Sequence, residues 1–200
     1  MYNRRMAVVY ETETPVAPPG DLGPYRGADY VALPDEPRCE LLYGRLLVTP
    51  APSLRHQHVT GKVFRLLADF ADRNGGHAFV SPVDVVLADH SIVQPDVIYV
   101  TRARSSILRA RVEGAPDLVV EILSPGTARR DLGAKLRLYA DSGVAEYWIV
   151  DPALATFEFL ENTGGGFRVR LPEGATYRSA AVTGLELDLE AFWRAIPAEY

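Results

Sequence analysis

The stretch 115–151 constrains the fold more than any other, because a strand, a helix and a second strand follow one another there with little sequence between them. Residues 117–123 form an apolar run rich in β-branched side chains. Pro116 precedes this run and Ser-Pro-Gly at 124–126 follows it, which is typical of a short buried strand.

The sequence after the Ser-Pro-Gly break predicts a crossover helix and a returning strand. Thr127 or Ser124 can cap a helix that runs to about Asp141 and stops at Gly143. Residues 146–150 then predict the second strand. Two strands joined by a crossover helix normally lie parallel, with a right-handed connection.

Glu121 interrupts the first buried strand. An ionised carboxylate there is costly unless a cation, a metal or hydrogen bonds compensate it, which favours a functional role for Glu121. The alternative is a bend at the end of the strand that lets Glu121 reach solvent without any partner.

Lys135 is the candidate cation for the same site. It lies one turn after Asp131, and on its own it is typical of a solvated i,i+4 partner of that residue. The crossover geometry, however, carries Lys135 back over the sheet near Glu121. Its aliphatic stem would then flank the apolar stripe of the helix, which we predict to consist of Leu132, Leu136 and Tyr139.

Asp96 is a second carboxylate in an apolar setting. Pro95 denies the extended segment 92–100 one ladder hydrogen bond, so this strand is predicted to be at an edge or irregular at that point. Two-residue alternation places Asp96 on the apolar face of Ile98 and Val100. A turn-forming Asp after Pro is the alternative.

The rest of the chain supplies further elements. We predict helices at 28–33, 54–73 and 189–196, a hairpin over 39–49 that turns at 43–44, strands at 77–80 and 83–87, and a C-terminal hairpin of 156–160 and 167–171.

Length and composition indicate one globular domain. The 200 residues are 48% hydrophobic, which suffices for one core, and we assign it to 27–200. Residues 1–26 are rich in proline and are predicted to form an extended N-terminal arm. Cys39 is the single cysteine, so no internal disulfide can form, and the sequence contains no long apolar run. A soluble, cytoplasmic protein without membrane contact is the expectation.

The net charge of −5 argues against a surface coated in phosphate-binding residues. The charge is uneven, because residues 141–200 hold ten acids and four bases, whereas residues 101–111 hold four arginines and no acid. The arginine-rich stretch is either a local basic face or an exposed, solvated loop, and the sequence does not distinguish the two.

Asp96, Glu121 and Lys135 together form an acid, acid, lysine set from adjacent elements. Hard cations such as Mg²⁺ take carboxylate oxygens and keep several waters. A nearby lysine can hold or help deprotonate the attacking water and can offset charge on phosphate.

Four segments extend this set into a resemblance. They are PDVIYV at 95–100, EGAPDLVVEILSPGTARRD at 113–131 with Lys135 following, GVAEYWIVDP at 143–152, and CELLYGRLLVTPAPSLRHQ at 39–57. Together they closely resemble the Uma-two family of restriction endonucleases, within the PD-(D/E)XK nuclease superfamily. The resemblance covers roughly residues 28–190.

The resemblance implies a restriction-endonuclease-like α/β fold: a mixed central sheet flanked by helices, here with an added C-terminal β-hairpin. It implies Mg²⁺ or Mn²⁺ held by Asp96, Glu121 and the main-chain carbonyl of Ile122. The usual superfamily lysine position is Leu123 here, and Lys135 looks like its migrated replacement. The resemblance gives Glu40 and His56 auxiliary roles in metal positioning or proton transfer.

The expected function is that of a metal-dependent endonuclease that hydrolyses phosphodiester bonds in DNA. Two alternatives are a non-catalytic nucleic-acid-binding or assembly protein that retains the fold, and a hydrolase of a smaller phosphoester. A homodimer is expected, because one small domain with one metal site cuts one strand and symmetric pairs are the commonest oligomers.

Overall fold

The structure is a computed structural model, and it describes residues 10–11, 21–34 and 36–197. Of the segment predicted to be an N-terminal arm, residues 1–9 and 12–20 lie outside the described residues. The arm and the domain boundary at residue 27 therefore stay predictions.

The described secondary structure comprises fourteen strands, five α-helices, one 3₁₀ helix and one π turn. The strands are β1 (Tyr10–Glu11), β2 (Cys39–Leu42), β3 (Arg45–Val48), β4 (His77–Val80), β5 (Val85–Ala88), β6 (Ser91–Val93), β7 (Val97–Val100), β8 (Val112–Glu113), β9 (Leu118–Ile122), β10 (Glu146–Asp151), β11 (Thr156–Asn162), β12 (Phe167–Arg170), β13 (Thr176–Arg178) and β14 (Glu186–Asp188). The helices are α1 (Gly27–Val31), α2 (Leu54–Asn74), α3 (Ala128–Arg130), α4 (Leu136–Asp141) and α5 (Leu189–Arg194). A 3₁₀ helix covers Arg102–Ile107 and a π turn covers Asp131–Lys135.

The strands form two sheets of six and a separate pair. The first sheet has the order β1-β3-β2-β6-β5-β8, the second has the order β12-β11-β10-β9-β7-β4, and β13 pairs with β14. In the second sheet β9 and β10 are parallel, as predicted, and their other neighbours are antiparallel. The predicted mixed α/β fold, including the C-terminal hairpin of β11 and β12, is confirmed.

Pro95 divides the segment predicted as one strand over 92–100. Its first part becomes β6 in the first sheet, and its second part becomes β7 between β9 and β4 in the second sheet. Because Pro95 has no N–H to donate, the ladder stops there. The strand is thus irregular at Pro95 rather than at a sheet edge, and Gln94 and Asp96 lie where the chain crosses between the sheets.

The long helix α2 covers one face of the second sheet. Ser53 caps it by accepting a hydrogen bond from the His56 N–H at 3.2 Å. Its buried side packs in one core cluster with Val97, Val120 and Trp148. Burial of each such large apolar side chain contributes roughly 1.5–3 kcal/mol. This helix, predicted over 54–73, is confirmed and fixes His56 in its first turn.

The π turn corrects the predicted stripe of the crossover helix. One α-helix was expected over this stretch, whereas a π turn joins α3 to α4. Such a turn closes i→i+5 hydrogen bonds, so it rotates the preceding residues relative to α-helical spacing. Leu132 is consequently 48% exposed, whereas Asp131 and Lys135 are 1% and 3% exposed. Lys135 is not a solvated surface residue.

The two faces of the second sheet carry different core clusters. Val119 and Tyr147 belong to the cluster that includes Leu138 and Tyr139 of α4. Val120 and Trp148 belong to the cluster under α2. Since side chains alternate along a strand, Glu121 shares its face with Val119, and Glu146 shares the opposite face with Trp148.

The predicted hairpin over 39–49 is also confirmed. Tyr43 and Gly44 form its turn with φ angles of 50° and 76°. Two consecutive positive φ angles are typical of a tight hairpin turn, and glycine adopts them without steric cost. This hairpin carries Glu40 in β2. Within the described chain, no helix is both long and apolar enough to cross a membrane.

Candidate active site

One cleft collects all five side chains that the sequence singled out. It has a volume of about 70 Å³ and its walls include Glu40, His56, Asp96, Glu121 and Lys135. These residues come from β2, the first turn of α2, the β6–β7 crossing, β9 and the π turn. The cleft therefore lies where both sheets, α2 and the crossover helix meet.

Glu121 is held by a cation and a phenol. Lys135 Nζ and the Tyr139 hydroxyl donate hydrogen bonds to its Oε1, at 2.8 and 2.6 Å. Burial raises the pKa of Glu121 well above its usual value. The positive charge of Lys135 lowers it, but the negative charges of Asp131, Asp96 and Glu40 offset that effect. Glu121 does not bend out to solvent, since it is 3% exposed.

Lys135 is surrounded by three carboxylates. Its Nζ lies 2.8 Å from Glu121 Oε1, 2.8 Å from Glu40 Oε1 and 3.6 Å from Asp131 Oδ1. Burial disfavours the ammonium, but the negative charges of Glu121, Glu40 and Asp131 outweigh that effect and raise the pKa of Lys135. Lys135 is therefore a fixed positive charge near neutral pH.

Glu40 accepts hydrogen bonds at both of its carboxylate oxygens. The Gln94 N–H donates to its Oε1 at 2.7 Å, and Arg130 Nη1 donates to its Oε2 at 2.7 Å. Burial alone would raise the pKa of Glu40, but the charges of Lys135 and Arg130 and these hydrogen bonds hold it below the usual value. Glu40 is therefore an anion at neutral pH, and its contact with Lys135 Nζ holds that side chain in place.

Asp131 is another buried acid of the cleft whose charge is incompletely compensated. Burial raises its pKa from 3.8 to about 6, in spite of the attraction of Lys135 and a hydrogen bond with Thr127. Its Oδ1 has no hydrogen-bond partner among the described residues. Such an atom costs free energy, and native proteins leave it chiefly at functional sites.

Asp96 is anchored by the neighbouring strand and by α2. The Ile122 N–H donates to its Oδ2 at 2.8 Å, and His56 Nε2 lies 3.2 Å from the same oxygen. Burial lowers the pKa of His56, but the hydrogen bond and charge of Asp96, with a main-chain hydrogen bond at Ile122, raise it overall. His56 and Asp96 thus form a pair at the cleft wall.

The charge balance of the cleft suits a divalent cation. Four buried or half-buried carboxylates face two permanent cations, Arg130 and Lys135. The hydrogen bonds to these two acids from described residues go to Asp96 Oδ2 and to Glu121 Oε1. Asp96 Oδ1 and Glu121 Oε2 are therefore left for another ligand. Carboxylate oxygens are the ligands that Mg²⁺ prefers.

The geometry supplies two candidate side-chain ligands rather than a complete cage. In the described part of the chain, no group of three or more His, Cys, Asp or Glu side chains is arranged to hold a metal ion. Mg²⁺ usually takes only one or two carboxylates and keeps several waters, so two acids and a main-chain carbonyl fit that preference.

Further polar atoms of the cleft wall lack partners. Among the described residues, none bonds to Arg38 Nε, Thr49 Oγ1 or Gln94 Oε1, which are all buried. Buried polar atoms without partners are few in native proteins, so these three atoms are candidates for contact with a ligand.

Sequence reasoning missed the residues that support this set. Arg130 and Asp131 stand in the segment that carries the family resemblance, but nothing in their spacing predicts that they are buried. Tyr139 belongs to the predicted apolar stripe, but its hydroxyl donates a hydrogen bond to Glu121. Gln94 donates to Glu40 through its main-chain N–H. Almost every residue type has this group, so the sequence does not indicate the contact.

Fold and cleft together define a mixed α/β protein of the restriction-endonuclease-like class, with an acid, acid, lysine set in the cleft between its sheets and helices. The model of the family described as "Uma2: Putative restriction endonuclease" matches residues 28–192, and the chain belongs to this family. The predicted family is confirmed. Family membership supports a nuclease, a hydrolase of phosphodiester bonds.

A solved structure has the same fold. It is the crystal structure of "a putative nuclease belonging to DUF820" from Anabaena variabilis, with a TM-score of 0.71 and 19% sequence identity. The similarity covers 86% of this chain and 98% of that one. No curated protein matches the sequence.

Proposed function

We propose that the protein is a metal-dependent endonuclease that hydrolyses phosphodiester bonds, with DNA as its substrate. The observation that carries this proposal is the meeting of Asp96, Glu121 and Lys135 in one cleft, although three different elements supply them. The family match to restriction endonucleases supports the same reaction class.

Asp96, Glu121 and the main-chain carbonyl of Ile122 would hold Mg²⁺ or Mn²⁺. Such an ion supplies positive charge to the scissile phosphate and lowers the pKa of the attacking water. The two acids keep one oxygen each for this purpose, and the surplus of negative charge around Glu121 attracts a cation. Binding would relieve that surplus.

Lys135 would offset the charge of the phosphate and orient the attacking water. Its raised pKa supports this role over that of a proton acceptor, because a lysine must lose its proton before it can accept one. Glu40 holds Lys135 in place through their 2.8 Å contact, and Arg130 in turn holds Glu40. These two residues act as positioning residues.

His56 would hold the Asp96 carboxylate in the cleft. The 3.2 Å contact between Nε2 and Asp96 Oδ2 fixes the direction of that acid. Since the pKa of His56 is raised, its ring carries a proton over more of the neutral pH range and can pass it to a group leaving the phosphate.

A plasmid-cleavage assay tests the proposal. The parent is expected to cut DNA with Mg²⁺ or Mn²⁺ and not with a chelator. Lys135→Ala should lower the rate at least about 100-fold, since a positioned charge on the reacting group is lost. Lys62→Ala is the matched control, because Lys62 is the other lysine of the chain and lies outside the cleft.

Two further outcomes keep the test decisive. Asp96→Asn should also abolish cleavage, which covers the case that Lys135→Ala unfolds. A folded parent that cuts neither DNA nor RNA with either metal would contradict the nuclease proposal. If that parent still binds DNA in a salt-dependent manner, the non-catalytic binding protein is the better description.

We also propose a homodimer, because cleavage of both strands of a duplex requires two such clefts. The exposed edge strand β12, where Val169 is 52% exposed, offers a surface for the contact. Light scattering should return twice the chain mass of 22.0 kDa. A monomer across micromolar concentrations would contradict this proposal.

A further inference from the structure

A second cavity adjoins the cleft. It has a volume of about 380 Å³, which is within the usual range for small-ligand pockets. The short helix α1, the residues that follow it and the end of the arginine-rich stretch form its walls. The lining residues used below are Tyr30, Leu33, Arg38, Asp84, Gln94 and Ala110.

Two residues belong to both cavities. Arg38 and Gln94 line the cleft and the second cavity, so these two side chains form the partition between them. A nucleic-acid strand with a phosphate in the cleft could therefore place an adjacent nucleotide in the second cavity. Arg38 Nε, which is buried without a partner among the described residues, is a donor at that partition.

The polar groups of the second cavity converge on Asp84. Tyr30 donates its hydroxyl to Asp84 Oδ1 at 3.0 Å, and Gln94 Nε2 donates to the same oxygen at 2.9 Å. This contact fixes the Gln94 amide, because an amide oxygen facing the carboxylate would be repelled. Both bonds go to Oδ1, which leaves Asp84 Oδ2 for another donor.

Two acceptors therefore lie together on one wall of the cavity, and the lining also includes the donors Arg38 and Arg111. Gln94 Oε1 is buried and has no partner in the described part of the chain. Together with Asp84 Oδ2 it would accept two hydrogen bonds from a ligand. The ring of Tyr30 and the side chain of Leu33 supply apolar wall beside these acceptors.

We propose that the second cavity binds one unstacked nucleobase of the substrate strand, and that the base it selects is guanine. This inference rests on the proposed nuclease function. Guanine offers a ring N–H and an exocyclic amino group side by side, which match two acceptors. Enzymes that extrude a base read it through hydrogen bonds to this edge.

The other bases fit the acceptors less well. Adenine and cytosine present their amino group beside a ring acceptor, and thymine presents one N–H between two carbonyl oxygens. Those acceptor atoms would face Asp84 or Gln94 and be repelled. Loss of one hydrogen bond to a charged group lowers affinity about tenfold or more.

Titration calorimetry with single nucleotides tests the inference without any cleavage. The probes are dGMP and dTMP in the presence of a chelator, since they share the phosphate and differ in the base. We expect dGMP to bind at least about tenfold more tightly than dTMP. Asp84→Asn should reduce that ratio to less than about threefold, because the amide replaces an acceptor with a donor.

Two variants complete the design. Ala110→Trp fills the cavity from an exposed position and should abolish dGMP binding, even if Asp84→Asn does not fold. Glu158→Gln removes one exposed charge elsewhere and should bind as the parent does. Equal affinity for the two nucleotides, no binding, or unchanged binding by Ala110→Trp would overturn the inference.

Failure of this inference differs from failure of the proposed function. Cleavage with Mn²⁺ but no preference for dGMP would leave a nuclease without a base pocket. A preference for dGMP without any cleavage would keep the pocket and point to a nucleic-acid-binding protein.

Discussion

Two buried glutamates on neighbouring strands of one sheet have opposite surroundings. Glu121 of β9 and Glu146 of β10 are 3% and 0% exposed, on opposite faces of the sheet. Glu121 accepts from Lys135 and Tyr139 at one oxygen and lies near three other acids. The hydrogen-bond partners of Glu146 among the described residues include no acid.

Glu146 is closed by neutral donors. Trp148 Nε1 and the Tyr177 hydroxyl donate to its Oε1 at 2.6 Å each. Ser179 Oγ and the Ala181 N–H donate to its Oε2 at 2.5 and 2.9 Å. Both oxygens are used, and three of the four partners, Tyr177, Ser179 and Ala181, tie β10 to the segment around β13.

This difference separates an acid that the protein itself compensates from an acid that we propose to be a metal ligand. Burial costs both carboxylates their hydration. Hydrogen bonds repay that cost at Glu146 within the protein, whereas Glu121 remains short of positive charge and keeps a free oxygen at a cleft. We infer that burial of an acid signals function only where its compensation is incomplete.

The largest expected effect is on cleavage. Glu121→Gln should lower the rate about 1000-fold, because it removes the charge of a proposed metal ligand, and Glu146→Gln should stay within about threefold of the parent. Plasmid cleavage with Mn²⁺ measures both. An equal loss of cleavage rate in the two variants would contradict the proposed difference between Glu121 and Glu146.

The next effect is on folding. Glu146→Ala should lower the free energy of unfolding by about 3–4 kcal/mol, since two buried and two half-buried donors lose their acceptor. Metal-free Glu121→Gln should be as stable as the parent or more stable, because it relieves repulsion with Asp131, Asp96 and Glu40. Chemical denaturation in a chelator compares them. A markedly unstable Glu121→Gln would mark Glu121 as structural.

A third effect is the stabilisation by metal. Binding to the folded state alone should raise the free energy of unfolding of the parent by about 2.7 kcal/mol when free Mn²⁺ exceeds its dissociation constant 100-fold. Glu121→Gln should lose most of this gain and Glu146→Gln should keep it. Melting curves with and without Mn²⁺ decide, and an equal gain in both variants would argue for a site elsewhere.

The smallest effect is on pH dependence. Asp131 has a pKa of about 6 when folded and 3.8 as its usual value, so the folded state holds its proton more tightly. The stability that this proton contributes is therefore present below about pH 4 and is lost as the pH rises through about 6.

The metal-free parent should accordingly be more stable at about pH 5 than at pH 7, by up to about 2 kcal/mol. The raised pKa values of Glu121 and His56 act in the same direction, while the lowered pKa of Glu40 matters only in more acidic solution. Asp131→Asn should reduce the slope without removing it. An unchanged slope in that variant would mean that Asp131 is charged at both pH values.

Strong periodic patterns made most elements predictable. Helix α2, the parallel pair β9 and β10, and both hairpins follow from alternation, caps and turn residues. The crossing at Pro95 was only half predictable, because a proline shows that a ladder stops and not that the next strand joins another sheet.

The π turn could not be predicted from the helical pattern of the sequence. One extra residue per turn has no composition of its own, so Leu132 was assigned to the core and Lys135 to its flank, whereas Leu132 is exposed and Lys135 is buried. The proximity of Lys135 to Glu121 was still predicted, because it depends on the strand–helix–strand crossover rather than on the face of the helix.

The partners of the two glutamates were not predictable. Tyr177 and Ser179 are more than 30 residues from Glu146 in sequence, and no pattern links them to it. The sequence therefore does not indicate that Glu146 is a buried, hydrogen-bonded acid. Candidate ligand residues can be read from residue type, but the hydrogen bonds that decide between structure and function depend on the fold.

The most direct measurement is anomalous diffraction from crystals soaked in Mn²⁺. The account predicts a peak in the cleft within about 2.0–2.4 Å of both Asp96 and Glu121, and no peak at Glu146. A saturating soak that leaves the space between Asp96 and Glu121 without a peak would contradict the claim that incomplete compensation marks a metal site.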